Sequence, residues 1–304
     1  MPDGDVDGVA KREARPDFKK LEASRPPWDP SSHFRLHRAP QPAWKFGDGA
    51  NELYTSADAS QKHVVVDPYE PGRPATFNYK LLISAVTPRP IAFVSTRSLD
   101  GETTNLAPFS YFNLVNHDPP LFVVGFSCGL ADAKDTLRNV RDTGEAVINI
   151  VSETFLEAAN STSIDAPYGA SEWSVSGLTP LHDCQTVRCA RVKEAVFSVE
   201  AKLDLLREYE SRAAEGKKSG TVAIFEGTRM WVREDALNQD KNLVDPTRLQ
   251  PVSRLGGITY GRTTEAVEIP RPKFDGDLGG EQGFGRLRKA QQSLHAAPAS
   301  PAME

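Results

Sequence analysis

Long apolar runs are missing from this sequence: the most extended, Leu121 to Phe126, falls far short of the ~20 residues that a bilayer-spanning helix requires. Cysteine is scarce and odd in number, with only Cys128, Cys184 and Cys189 in 304 residues, which speaks against a disulfide framework and fits reduced thiols. No basic run is dense enough for a nucleic-acid footprint, and the formal net charge is −5. The opening stretch MPDGDVDGVAKREARPDFKK carries three Asp in its first seven residues and no apolar core, so neither a secretory nor a mitochondrial leader is expected. A cytoplasmic protein without membrane or nucleic-acid partners is the expectation.

Several catalytic signatures are absent as well. There is no GxxxxGK[ST], and the one glycine cluster, GGEQGFG at 279–285, follows no strand, so neither a P-loop nor a Rossmann reading meets its context. His182, Cys184 and Cys189 lie close together but lack zinc spacing and a second ligand pair, so no metal is expected. No GxSxG elbow occurs, and His117, in VNHDPP, suits a polar turn better than a proton relay.

What is present is mostly strand. With 39% hydrophobic and 25% charged residues the chain can build a sizeable core. Residues 1–62 show no sustained periodicity among many prolines and read as a largely disordered arm, although Trp28, Phe34, Trp44 and Phe46 suggest docking on the chain's own domain or on a partner subunit. Residues 267–304 read as a flexible tail with a short helix around Arg286 to Leu294. The folded unit is residues 63–266. Its β-branched and apolar segments predict strands at Pro90 to Thr96, Thr103 to Leu106, Leu121 to Ser127, Ala146 to Val151, Val187 to Leu205 and Thr221 to Val232, the Val187 to Leu205 stretch as two strands or one bent one because it alternates only in parts. KDTLRNVRDTG predicts a helix, with Leu137 and Val140 three apart and Gly144 as its stop; SETFLEAANST predicts a second. Many strands, few helices and no βα rhythm point to an antiparallel barrel.

STRSLDGETTNLAPFSYFN, residues 95–113, is a hairpin with an irregular end. Asp100-Gly101 suits a tight type I′ turn, but Pro108 interrupts the second strand. A broken strand with small side chains would leave backbone groups free to meet the polar edge of a planar ring. Ser95 and Thr96 end one strand, and Lys134-Asp135-Thr136 opens a helix; hydroxyls, orphan N–H groups and one ammonium are the parts of a phosphate site. Singly, each residue has an ordinary reading: Lys134 as a solvated charge, Thr136 as a cap, Asn105 as a turn former.

Together, TPRPIAFVSTRSLDGETTNLAPFSYFNLVNHDPPLFVVGFS, KDTLRNVRDTGEAVINIV and LQPVSRLGGITYGR resemble the flavin reductase-like, FMN-binding split-barrel family, from about Phe77 to Arg262. The resemblance implies a mainly β fold, a six-stranded Greek-key antiparallel β-barrel with peripheral helices, usually a homodimer, with one FMN per subunit. It places Ser95, Thr96, Lys134 and Thr136 at the phosphate and ribityl chain. Asn105, Leu106, Ala107 and Ser110 would border the isoalloxazine, chiefly through backbone groups, with Arg254 and Tyr260 as a late contribution. Arg89 would serve the phosphate or the turn, and Phe109 and Phe112 the packing. The implied activity is oxidoreduction: NAD(P)H-dependent flavin reduction by hydride transfer to flavin N5, which needs no protein base, with a nicotinamide nucleotide or a small organic electron acceptor as partner. Two alternatives stay open: a flavoprotein with fixed FMN, working in electron transfer or on a specific organic substrate, and a non-catalytic flavin-binding or interaction module.

Overall fold

The computed structural model of the chain describes residues 18–296. The expectation of a leaderless start and the last part of the expected tail therefore lie outside the described residues. Two compact units are present, one from residues 18–34 and 67–264, the other from 35–66 and 265–296. In the second unit Arg35–His37 pairs in parallel with Glu265–Val267, Trp44 and Phe46 meet edge to face at 5.9 Å, and the helix Gly280–Ala296 brings Leu287 against Gly47.

The first unit is organised by one antiparallel sheet. Its strands are β1 (Ala92–Arg97), β2 (Thr104–Phe109), β3 (Phe112–His117), β4 (Pro120–Phe126), β5 (Glu145–Ile150), β6 (Phe197–Glu210) and β7 (Lys218–Val232). They lie in the order β2-β1-β5-β6-β7-β4-β3. Phe109 of β2 and Phe126 of β4 are five places apart in that order, yet their rings stand 5.0 Å apart, so the sheet is rolled into a split barrel. Alternate residues fill the interior: Val94, Val124, Ile148, Val199 and Phe225 are all buried in one cluster.

Helix α2 (Asp135–Thr143) is set by its own sequence. Leu137 and Val140 lie on one face and reach the barrel core, and Gly144, at φ 67°, ends the helix by donating its N–H to the Val140 carbonyl. The outer face of β1 and β2 is covered by helices α3 (Leu156–Ser161) and α4 (Glu172–Ser176), where Phe93 and Leu106 pack with Phe155, Ala159 and Trp173. An earlier helix, α1 (Ala75–Ala85), ends on Arg89, whose Nη1 donates to the Ile83 and Val86 carbonyls at 2.6 Å each.

Three local expectations change, and one open alternative is decided. The sheet has seven strands rather than six, because Phe112–His117 adds an edge beside β4. The 95–113 hairpin does not turn on two residues: only Gly101 has positive φ, and Ser98 closes a wider loop by donating to the Thr103 carbonyl. Of the two readings of the 187–205 stretch, the structure takes two strands, Arg191–Val192 and β6, since Ala195 N–H turns back to the Val192 carbonyl. Finally, β2 is not broken. It pairs with β1 without a register shift from Thr104 to Phe109.

That last point explains Pro108. Leu106 N–H leaves the β1 ladder and donates to Glu172 Oε2 at 3.2 Å, so by alternation Thr104, Leu106 and Pro108 turn their main-chain groups to the open edge. A missing N–H at that edge costs no ladder bond.

Candidate functional site

The edge of β2, the mouth of α2, the end of β4 and the loops at 162–166 and 254–256 enclose a cavity of about 560 Å³, within the range of small-ligand sites. Its features differ from one part of the wall to another. At α2, the helix ladder begins with Arg138 N–H on the Lys134 carbonyl, so the N–H groups of residues 135–137 have no partner within the helix. Lys134 stands at that mouth, 79% exposed, with its Nζ 3.2 Å from Asp165 Oδ1. Along β2, Asn105, Ala107 and Phe109 share one side of the strand and line the wall together with Ser110. Tyr79, Arg89 and Tyr111 line the same cavity; partial burial and the neighbouring Tyr79 raise the Tyr111 phenol, with Arg89 opposing.

Of the residues expected from sequence, the structure brings Asn105, Ala107, Ser110, Lys134, Thr136 and Arg254 to this cavity. Ser95, Thr96, Leu106 and Tyr260 do not line it. Thr96 accepts from Asn139 Nδ2 at 3.1 Å and so ties β1 to α2, whereas Ser95 Oγ is buried without a partner. Leu106 is fully buried on the helix-covered face, and its N–H is taken by Glu172. Tyr260 donates to Asn160 Oδ1 at 2.9 Å and carries the Arg254 guanidinium 4.4 Å above its ring, supporting the wall from behind.

Glu172 was not legible in the sequence. A single Glu in GASEWSVSG carries no motif, yet α4 sets it against the edge of β2 from 66 residues away. Burial raises its carboxyl above the usual range, Asp135 adds to that, and the Leu106 N–H opposes it. Asn105 lies between Glu172 and Thr136: its terminal atoms are 3.1 Å from Glu172 Oε2 and 2.6 Å from Thr136 Oγ1. The loop at 162–166 was also missed, although Thr162 ends the segment SETFLEAANST, from which a helix is predicted, and Ser163 directly follows it.

Comparison with known proteins agrees with the rolled sheet. Residues 84–249 match the flavin reductase like domain. An uncharacterised protein of Halalkalibacterium halodurans is 37% identical over 198 residues, covering 64% of this chain and 91% of that one. Nitrilotriacetate monooxygenase component B from Bacillus cereus superposes with a TM-score of 0.64 at 31% identity, over 69% of this chain and all of that one. The 2-nitrobenzoate 2-nitroreductase of Pseudomonas fluorescens gives 0.59 at 30% identity, over 70% and 98%.

Proposed function

Because the chain belongs to the flavin reductase-like family, we propose that it binds FMN in the cavity beside β2 and uses NAD(P)H to reduce it. The observation that carries this reading is the pairing, in one cavity, of a cationic helix mouth with the Asn105–Ala107 face of the rim strand β2. Lys134 and the free N–H groups of α2 suit a phosphate. Asn105, Ala107 and Ser110 suit the rim of a planar ring, which small side chains allow to approach closely. Bound flavin supplies a hydride acceptor at N5. The chain's own part is to bind and orient: Arg254, braced on Tyr260, contributes a cation to the wall, and Arg89 is committed to the helix end before it.

A homodimer belongs to the same reading. Leu114 and Val115 on the edge strand β3, and Phe77, Leu81 and Leu82 on the helix Ala75–Ala85, are all exposed, apolar surface that a second copy would cover. The likeness to a nitroreductase favours one alternative, a fixed FMN acting on an organic substrate. The test is the visible spectrum of the purified protein, followed by anaerobic titration with NADH and NADPH. Bleaching by either supports the reductase reading. A yellow protein bleached by neither refutes it, and a colourless protein that takes up no added FMN refutes flavin binding altogether.

A further inference from the structure

We infer that Glu172, Asn105 and Thr136 form a hydrogen-bond relay whose direction is set by a proton on Glu172, so that Thr136 donates to an anionic ligand oxygen only when that proton is present. The inference rests on the FMN reading above and makes Glu172 a positioning residue for the phosphate.

The three side chains are each more than nine-tenths buried, all three line the cavity, and they touch in sequence. An ionised Glu172 can only accept. Asn105 must then turn its amide NH₂ toward Glu172 Oε2, at 3.1 Å, and leave its Oδ1 facing Thr136 Oγ1, at 2.6 Å. In that state Thr136 donates its one proton to Asn105 and presents lone pairs to the cavity, where a phosphate oxygen would be repelled.

A proton taken from solvent onto Glu172 reverses each link. The new O–H donates to Asn105 Oδ1, the amide turns over so that Nδ2 donates to Thr136 Oγ1, and the Thr136 hydroxyl proton is released toward the cavity. Leu106 N–H keeps its acceptor in both states, because the hydroxyl oxygen still carries a lone pair. The net change is one proton gained from the buffer.

The surroundings put that proton within reach. Asp135, on α2, adds to the burial that raises the Glu172 carboxyl. The helix α4 holds no other titratable side chain, β2 holds none, and α3 holds Glu157. Lys134, Asp165 and Arg254 line the same cavity. By linkage, a ligand that prefers the protonated state binds up to tenfold more weakly per pH unit above the Glu172 pKa.

The experiment is calorimetric titration of FMN into the full chain, in two buffers of different ionisation enthalpy, which counts protons taken up on binding. Wild type should take up a fraction of a proton more than Glu172→Gln, and Thr136→Val should lose the same fraction although Glu172 is intact. Protonation of the FMN phosphate itself is common to all three proteins and cancels. Riboflavin, without a phosphate, should show no difference between wild type and the variants. An equal proton count for wild type and Thr136→Val overturns the relay, even where Glu172→Gln fails to fold. FMN bound normally with no extra proton overturns the relay alone; no FMN binding by wild type overturns the cofactor reading with it.

Discussion

Replacing Lys134 by alanine tests the phosphate end directly. The ammonium is 79% exposed and shares its charge with Asp165, itself 94% exposed, at 3.2 Å. Two unit charges at ~4 Å interact by about 1 kcal/mol in water and about 4 kcal/mol at an effective dielectric of 20. Exposure of this degree places Lys134 near the lower figure, and Asp165 competes for the same ammonium. The expected loss for Lys134→Ala is therefore about 1 kcal/mol, or about fivefold in the Kd for FMN at low salt. Asp165→Asn should act in the opposite direction, tightening FMN by roughly twofold, because the ammonium is released from its partner. Both effects should collapse near 1 M salt, where the screening length falls to about 3 Å. Quenching of FMN fluorescence measures each affinity. An unchanged Kd for Lys134→Ala at low salt would refute the phosphate role, and a loss that persisted at high salt would show that the substitution acted on the fold instead.

Two further outcomes concern a buried carboxylate and the three thiols. Glu200 is fully buried and accepts from Gln185 N and Trp231 Nε1 on Oε1, and from Thr186 N and Oγ1 on Oε2. Burial alone would raise this carboxyl, but the hydrogen bonds hold it below the usual glutamate value. Its contribution to stability is thus complete above the ordinary glutamate range and is lost as pH falls through the lowered folded value. Glu200→Gln turns an amide toward two donors and should cost about 2–4 kcal/mol in urea unfolding, with a flatter acid limb; an unchanged midpoint would contradict the clamp. Burial pushes the Cys184 and Cys189 thiols up to about 12, with Glu200 and Glu145 adding their charge. Neither should react with a disulfide reagent at neutral pH in the native protein, while Cys128, on the cavity wall, should react and be protected by FMN.

The elements that could be read in advance are those decided within a few residues. Helix α2 follows from the spacing of Leu137 and Val140 and from a glycine able to take φ 67°, and its boundaries agree with the sequence reading. The core strands follow from β-branched runs, and the motif chain from PRPIA to TGE carries the family. Asn105, Lys134 and Thr136 could be nominated because their chemistry suits an anion and a ring.

Faces and edges were another matter. Period-two alternation separates Thr96 from Ser95 but does not say which side meets a cavity, and neither does. Pro108 looks like a break until β2 is seen to be the rim of the sheet. Local periodicity and capping chemistry, both short-range, set the strands and the helix α2 from sequence alone. The placement of Glu172 against Leu106 and Asn105 was decided only when the sheet rolled and α4 closed over its edge, since contacts between distant segments depend on how all the strands pair at once.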